Sequence, residues 1–350
     1  MAFHALRPRW TPTNLTALPG FGGGTLTEFA VDPYSPLYLG GGDEVNGWIA
    51  TDQYVQRITD IFGTPTLGAA TAFAHVGSGR ALHMQFERGL PNWGMIAYTG
   101  GWGTDVYFTT DGDSWTHVQP DTDYDTYGRD WASGLALSPH IPGRAYISVL
   151  NATGSSESGA PDGSFMVTND YGATWSPLAG VSPGKMRAGS IHVPFQASDM
   201  RIIFHGYRGS AAALNWRLYR TVLGGASVDI SPVVGGVTYG VDNNRTNRQI
   251  ATCDIDMNTL VAVLTDPGTG KTGVFLTRNA LAASPTWRVI VPPAVSMPYR
   301  GVYIAGDNRN VFYLMGIDGS VALSSDGGNT FRSKQGNIAT TGVMVGLCGG

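Results

Sequence analysis

The sequence is poor in several features on which whole classes of protein depend. It contains only two cysteines, Cys253 and Cys348, which excludes a disulfide framework and a cysteine-ligated zinc site. Charged residues make up 14% of the chain and the formal net charge is -4, so we expect no nucleic-acid partner and no bulk attraction to an anionic membrane. No stretch approaches the roughly 18 apolar residues of a membrane span, so we expect no membrane insertion.

Lysine is also scarce, and the N-terminal sequence lacks a secretory pattern. Lysine occurs only at positions 185, 271 and 334, so nearly all basic residues are arginine. The first residues, MAFHALRPRWTPTNL, carry basic side chains but no apolar run of the ~7–15 residues that a cleaved signal requires. We therefore expect a protein that does not leave a cell by the usual cleaved route.

Glycine, in contrast, is abundant, with 49 in 350 residues against a usual share of roughly 7%. It follows no G-x-y period and forms no low-complexity tract, so collagen and disorder are excluded. Short apolar runs rich in Val, Ile, Tyr, Phe and Thr alternate with Gly, Pro and Asp, and no segment keeps a 3.6-residue period for three turns. The pattern predicts a turn-rich all-β protein.

A repeat of about fifty residues organises the predicted strands. The best copies are FMVTNDYGATW at 165–175, VALSSDGGNTF at 321–331 and the one-residue-shorter VYFTTDGDSW at 106–115. Degenerate copies follow at 218–228, 274–287 and, weakest of all, 48–63. Each unit also begins with an apolar strand, found within 27–33, 82–87, 134–139, 190–194, 251–256 and 302–307. A second strand and a Gly-rich loop then lead to the strand before the repeated turn, which predicts four strands per unit in six units.

The patterns T-x-D-x-G-x-T-W at 168–175 and S-x-D-x-G-x-T-F at 324–331 resemble the Asp-box of the sialidase and BNR-repeat superfamily. In that family the box is a hairpin turn between the third and fourth strands of a β-propeller blade. Its hydroxyl and Asp side chains bond the turn backbone, and its aromatic residue packs between blades. The resemblance therefore implies structural, non-catalytic roles for Asp111, Trp115, Asp170, Gly172, Trp175, Asp326, Gly328 and Phe331. Because Asp-boxes occur in sialidases, xyloglucan hydrolases, sortilin-type receptors, photosystem assembly factors and phage adhesins, the resemblance implies a fold and leaves function open.

The two ends of the sequence predict how the ring of blades closes. TGVMVGLCGG at 341–350 is typical of a further first strand with no blade after it, and HALRPRWTPT at 4–13 is typical of a last strand. Pairing the two would remove the strand edges that a propeller must hide. We therefore expect residues 1–350 to form a single β-propeller domain with six full blades and a composite seventh, and six blades are the alternative.

An arginine stands just ahead of five successive innermost strands, which in a propeller line the central channel. Guanidinium groups match carboxylate and phosphate in bidentate fashion, and sugars stack on aromatic rings. The predicted ligand site at the channel mouth comprises Arg80, Arg129, Arg187, Arg248, Arg300, Trp102, Tyr127 and Trp131. The alternatives are arginines placed by chance and paired with nearby Asp, and rings that pack between blades.

The loop DTDYDTYGRDW at 121–131 is unusually acidic. Asp121, Asp123 and Asp125 alternate in the way that a hard cation such as Ca²⁺ requires of its oxygen ligands, although the closing Glu of a complete EF-hand loop is missing. A calcium site at these residues and a solvated acidic turn are both open. No other cofactor is expected.

Catalysis has less support in the sequence than binding. Sialidases use a Tyr nucleophile activated by Glu with an Asp acid/base, but this chain has only four Glu, and of these only Glu28 is expected to face the channel. The Arg-Ile-Pro signature of sialidases is absent. A glycosidase with two carboxyl groups stays open because four aspartates are predicted to lie in rim loops, namely Asp43, Asp105, Asp162 and Asp266.

Taken as a recognition or structural module without catalysis, the protein is expected to bind a glycan or another anionic polymer, with other virion or surface proteins as further partners. The absent signal and the usual extracellular action of Asp-box proteins favour a virion component such as a phage tail or adhesion protein, or an extracellular protein without a cleavable signal peptide. A cytoplasmic location is the alternative. The alternative function is a glycoside hydrolase of sialidase-like or endo-acting type.

Overall fold

The structure, a computed structural model, describes residues 18–22, 26–31, 46–60, 64–73, 80–86, 92–100, 103–118, 120, 130–151, 165–178, 187–194, 202–208, 216–222, 225–241, 249–295, 299–316 and 320–333. Every regular element within these ranges is a β-strand. Accordingly, the described residues contain no helix with the length and hydrophobicity needed to cross a membrane.

Six sheets of the structure have four antiparallel strands that lie side by side in chain order, and we call them blades 1 to 6. Blade 1 consists of β1 (Leu26–Val31), β2 (Gly47–Thr51), β3 (Tyr54–Thr59) and β4 (Thr66–Ala72). Blade 2 consists of β5 (Arg80–Phe86), β6 (Gly94–Gly100), β7 (Gly103–Thr109) and β8 (Thr116–Val118). Blade 3 consists of β9 (Asp130–Leu137), β10 (Ala145–Asn151), β11 (Phe165–Thr168) and β12 (Ser176–Pro177).

The second half of the chain repeats this pattern with one insertion. Blade 4 consists of β13 (Arg187–His192), β14 (Ile202–Arg208), β15 (Arg217–Val222) and β16 (Ser227–Asp229). A two-stranded sheet of β17 (Val233–Val234) and β18 (Val237–Thr238) follows. Blade 5 consists of β19 (Ile250–Cys253), β20 (Asp256–Thr265), β21 (Thr272–Thr277) and β22 (Trp287–Ala294), and blade 6 of β23 (Tyr299–Ile304), β24 (Phe312–Gly316), β25 (Val321–Ser324) and β26 (Arg332–Ser333).

The first strand of each blade is the innermost one. β1 contacts β5, β5 contacts β9, β9 contacts β13, β13 contacts β19, and β19 contacts β23, so the six first strands follow one another from blade to blade. These strands coincide with the six apolar runs that the sequence marks as the starts of the repeats. The arrangement is that of a β-propeller with four-stranded antiparallel blades, and the predicted fold class is confirmed.

Strand burial follows from the stacking of blades. The middle strands β2 and β21 are buried along their whole length. The outer strands β4 and β26 are largely exposed. Burial therefore decreases from the middle strands to the outer strand in these blades.

The hydrophobic core consists of layers between successive blades. Between blades 1 and 2, Trp48 stacks on Phe86 with ring centroids 3.6 Å apart. The layer between blades 5 and 6 includes Val263 and Phe312, both fully buried. Because complete burial of one such side chain contributes about 1.5–3 kcal/mol, these layers hold the blades together and position their loops.

The turns between the third and fourth strands of blades 2, 3 and 6 share one hydrogen-bond pattern, and we call them the aspartate turns. In blade 3, Thr168 Oγ1 accepts a hydrogen bond from the N–H of Gly172 at 3.0 Å, and Asp170 Oδ1 accepts one from the N–H of Thr174 at 2.8 Å. Thr109 with Asp111 in blade 2, and Ser324 with Asp326 in blade 6, accept the corresponding bonds. The side chains replace backbone acceptors that a tight turn cannot supply.

Hydrogen bonds within the turns lower the pKa of the three aspartates. The backbone N–H groups of Ser114 and Asp113 lower the pKa of Asp111 to about 2. Burial acts to raise the pKa of Asp170, but the hydrogen bonds from Thr174 outweigh it and the pKa is lowered. Thr330 is the main cause of the lowered pKa of Asp326. The carboxylates are therefore ionised and committed to their own turns.

The glycine and the aromatic residue of each turn pack against the preceding blade. Gly172 adopts a φ of 99°, which favours glycine, and an added Cβ would lie 2.7 Å from Met95 Cε of blade 2. Trp175 donates its Nε1–H to the Gly172 carbonyl at 3.0 Å and packs on the layer between blades 2 and 3. Trp115 and Phe331 pack on the layers between blades 1 and 2 and between blades 5 and 6. Gly328, with a φ of 83°, lies against Ile290 of blade 5.

The weakest repeat copy, 48–63, has a different frame from the one that the sequence suggests. Thr51 Oγ1 accepts hydrogen bonds from the N–H groups of Gln53 and Tyr54, but this turn joins the second and third strands. The turn between the third and fourth strands begins at Asp60, whose Oδ2 accepts from the N–H of Thr64 at 2.6 Å. The Thr51 turn resembles the repeated turn in its side-chain acceptor but joins different strands, which explains the misassigned frame.

The terminal segments 4–13 and 341–350 lie outside the described residues. The composite seventh blade, its six-blade alternative and the single-domain assignment of residues 1–350 therefore stay predictions.

Candidate functional site

The connections divide between two ends of the propeller, because all blades are antiparallel and run in the same order. One end carries the starts of the innermost strands, the connections from second to third strands and the links between blades, and we call it the arginine end. The other end, the turn end, carries the connections from first to second and from third to fourth strands, including the aspartate turns.

The structure places three of the five predicted arginines at the arginine end. Arg80 and Arg187 are the first residues of β5 and β13, and Arg300 is the second residue of β23. Trp131 is the second residue of β9 and shares this end. Four further predicted ligand residues lie outside the described residues, namely Arg129, Arg248, Trp102 and Tyr127.

Innermost strands carry one extra residue close to their start, the geometry of a β-bulge. The extra residue falls between Leu26 and Glu28 in β1, Ala81 and His83 in β5, Ala132 and Gly134 in β9, Ala188 and Ile191 in β13, and Tyr299 and Gly301 in β23. In β23 the extra residue is Arg300 itself, since Tyr299 pairs with Gly316 and Gly301 with Met315. Bulges bend a strand and redirect side chains, and they are over-represented next to functional sites.

Sequence reasoning missed these bulges, although a signal for them exists. Gly134, Gly189 and Gly301 lie inside strands β9, β13 and β23, at or next to the bulge. An isolated glycine within a strand pattern indicates a bulge or a close backbone approach.

The link between blades 4 and 5 is the part of the arginine end for which the structure gives the most detail. The β17–β18 hairpin turns through Gly235 and Gly236, both with positive φ, as a tight two-residue hairpin requires. Val233 on this hairpin is 64% exposed. Tyr239 follows it, and burial together with the negative charge of Asp266 raises the pKa of its phenol.

Gln249, at the foot of the same link, is fully buried, and neither its Nε2 nor its Oε1 has a hydrogen-bond partner among the described residues. Its backbone carbonyl accepts a hydrogen bond from the N–H of Val263 at 2.8 Å, which fixes the start of β19. A buried amide without partners is rare, because each unpaired polar atom costs about 1–3 kcal/mol.

Two of the four aspartates predicted as rim carboxylates are described, and each has a local partner. Asp105 is 2% exposed in β7, and its Oδ1 lies 2.6 Å from His117 Nε2 on the neighbouring strand β8. Asp266 accepts hydrogen bonds from the N–H of Gly268 at 2.8 Å and from Thr269 Oγ1 at 2.5 Å. They belong to blades 2 and 5 and are not brought together as a catalytic pair; Asp43 and Asp162 lie outside the described residues.

The predicted calcium ligands Asp121, Asp123 and Asp125 also lie outside the described residues. Within the described ranges, no group of three or more His, Cys, Asp and Glu side chains is arranged to hold a metal ion.

No family model and no curated protein matches the sequence. Solved structures do match the fold. A GH74 xyloglucanase from Xanthomonas campestris superposes with a TM-score of 0.59 at 14% identity over 91% of this chain, which spans only 46% of that enzyme. YCF48 bound to D1 peptide has a TM-score of 0.52 at 16% identity, covering 91% of this chain and 84% of that one. The Pan2 WD40 domain of Neurospora crassa has a TM-score of 0.50 at 11% identity, covering 90% and 80%. At these identities the likeness shows the β-propeller fold alone.

Proposed function

We propose that this chain is an Asp-box β-propeller that serves as a recognition module and holds a glycan or another anionic partner at its arginine end without cleaving it. The observation that carries the proposal is the position of Arg80, Arg187 and Arg300 at the starts of innermost strands, each beside or within a bulge.

Successive innermost strands contact one another, so arginines at their starts surround one axis. We infer that these arginines share one ligand, because guanidinium groups close to one another repel and an anion bound between them offsets that repulsion. The planar guanidinium fork pairs with carboxylate, sulfate or phosphate oxygens through two parallel hydrogen bonds. The bulges beside these residues bend the strands and can redirect side chains away from the directions of a regular β-ladder.

Two of the four aspartates proposed for a hydrolase are engaged in local contacts, which supports binding over hydrolysis. A glycosidase of the common types needs two carboxyl groups on either side of the scissile bond. Asp105 is paired with His117, and Asp266 caps its own turn. The likeness to a xyloglucanase supports carbohydrate as the class of ligand, and hydrolysis is the competing outcome of the test below.

The assignment to the Asp-box superfamily rests on the aspartate turns, in which a hydroxyl residue and an aspartate bond the same turn backbone in three blades. We further propose that the protein acts in a virion, as a phage tail or adhesion protein, or outside a cell, with other surface proteins as neighbours. Asp121, Asp123 and Asp125 are proposed as calcium ligands.

The test is retention of anionic and neutral polysaccharides by the immobilised full chain, compared with Arg80→Ala, Arg187→Ala and Arg300→Ala. Each substitution should weaken retention of the bound glycan about tenfold, since a hydrogen bond to a charged group contributes about 1.5–3 kcal/mol. The matched control is Arg332→Ala, an exposed arginine on β26, which should bind as the wild type does. Equal retention by all variants would contradict the assignment of the arginine end.

A further inference from the structure

Three arginines that the repeat pattern did not mark come together at the turn end, between blades 5 and 6. Arg278 follows β21, Arg288 is the second residue of β22, and Arg309 lies in the connection from β23 to β24. We call these three residues the arginine cluster. They lie at the opposite end from the arginines of the proposed glycan site.

Two members of the cluster converge on Gly327 in the aspartate turn of blade 6. Arg288 donates hydrogen bonds from Nη2 to the Gly327 carbonyl and from Nη1 to Asn329 Oδ1. A Cβ placed on Gly327 would lie only 3.2 Å from Arg278 Nη2. Both guanidinium groups therefore border the same small region of backbone.

Arg309 is tied to the same region through its backbone. Arg278 Nη1 donates to the Arg309 carbonyl at 2.6 Å, and Arg278 Nη2 donates to Asn310 Oδ1 at 2.8 Å. Arg278 is further held by a 3.1 Å hydrogen bond to Thr259 Oγ1 and lies 5.7 Å from the ring centroid of Phe312. The central guanidinium is thus fixed in place before any ligand arrives.

Two carboxylates beside the cluster already have hydrogen-bond partners of their own. The cluster's one ion pair among the described residues joins Arg309 to Asp256 at 3.4 Å, and Asp256 also accepts from Thr259 Oγ1. Asp326, next to Gly327, is occupied by hydrogen bonds from its own turn. Burial lowers the pKa of Arg278, the charges of Arg309 and Arg288 lower it further, and the charge of Asp256 opposes this shift.

The cluster also has donors to spare and access to solvent. Arg288 uses two hydrogen bonds and Arg309 one, although each guanidinium carries five N–H donors. The side chain of Arg309 is 60% exposed, and Arg288, Asn310 and Asn329 are exposed. An anion can therefore reach unused donors on two arginines.

We propose that the arginine cluster binds an oxyanion, namely a sulfate or phosphate group, seated against the Gly327 turn between blades 5 and 6. Arg288 and Arg309 supply the donors that contact the anion, and Arg278 contributes its fixed positive charge. Such a site links two blades. It adds a second anion-binding site at the end opposite the glycan site.

The test is calorimetric titration of the full chain with inorganic sulfate, inorganic phosphate and a sulfated disaccharide, at constant ionic strength set with sodium chloride. Wild type should bind at least one of the three saturably, and Arg309→Gln and Arg288→Gln should each weaken binding about tenfold. Arg144→Gln is the matched control, because Arg144 also donates to an Asn side chain, Asn169, in the aspartate turn of blade 3. It should leave binding unchanged.

Arg309→Gln keeps the test independent of folding, because the contact of this exposed side chain among the described residues is a 3.4 Å ion pair with Asp256. Tighter binding of the disaccharide than of free sulfate would assign the site to an ester group on a polymer, and equal binding would assign it to the free ion. The proposal is wrong if none of the three anions binds saturably, or if Arg309→Gln binds them as well as wild type. Arg80→Ala should leave binding of these anions to the arginine cluster intact. The test of the oxyanion site therefore does not depend on the proposed glycan site.

Discussion

Replacing His205 with glutamine should remove a defined part of the acid sensitivity of this protein. His205 lies in β14, is fully buried, and places its Nε2 2.8 Å from Thr221 Oγ1. Its ring packs edge-on to Phe165 and parallel to Tyr219. Because burial disfavours the imidazolium, the pKa of His205 falls from 6.5 to about 3.

The sign of the pH effect follows from which state binds the proton. Between pH 6.5 and about 3 the folded protein keeps His205 neutral, while the unfolded chain protonates it. The unfolded state therefore binds more protons in this range, and the free energy of unfolding decreases as the pH falls. One His with these properties lowers the free energy of unfolding by about 1.4 kcal/mol at pH 5.5 and about 2.7 kcal/mol at pH 4.5, relative to neutral pH.

The assay is urea-induced unfolding at pH 7.5 and pH 5.5 for wild type and His205→Gln, in which the amide can still bond to Thr221. Other groups titrate in both proteins, so the informative quantity is the difference between their two pH-dependent changes. That difference should be about 1.4 kcal/mol. The same substitution at the exposed His140 is the comparison variant. Equal pH dependence of His205→Gln and wild type would refute the reasoning.

Three further predictions concern the aspartate turns and the acidic loop. Asp170→Ala should lower the free energy of unfolding by about 1 kcal/mol, comparable to the loss of a helix cap, because it removes the acceptor for the Thr174 N–H; unchanged urea stability would contradict this. Gly172→Ala should destabilise the protein more than Gly270→Ala. Both glycines have positive φ, but an added Cβ would meet the Met95 side chain within 3 Å only at Gly172. Equal losses of the free energy of unfolding in urea would exclude the packing effect. Calcium should raise the Tm of wild type but not of Asp123→Asn, and EDTA should reverse the rise; a Tm that calcium does not change would leave the acidic loop as a solvated turn.

The parts of the fold that could be predicted are those in which the chemistry is local. Thr168, Asp170 and Gly172 form their turn within a few residues, so the pattern alone indicates both the turn and the strand before it. The six apolar runs at the repeat starts were predictable as strands, because short apolar runs bounded by turn residues at a regular spacing indicate strands.

Features assembled from distant residues could not be predicted in this way. The arginine cluster combines residues from two blades, and only stacking of those blades brings Arg278 and Arg288 to Gly327. The misassigned frame at 48–63 arose because Thr51 forms a similar side-chain turn between different strands. The β17–β18 hairpin, with Gly235 and Gly236 between two valine-containing strands, carries a recognisable hairpin signal in the sequence that is not part of the repeat.

The most direct test of the central claim is mass spectrometry of glycans after incubation with the full chain, because it measures retention and cleavage together. The account predicts that an anionic glycan is retained at its original length and that Arg80→Ala and Arg300→Ala release it. Shortened products would contradict the account, since they require a catalytic centre where we place a binding site.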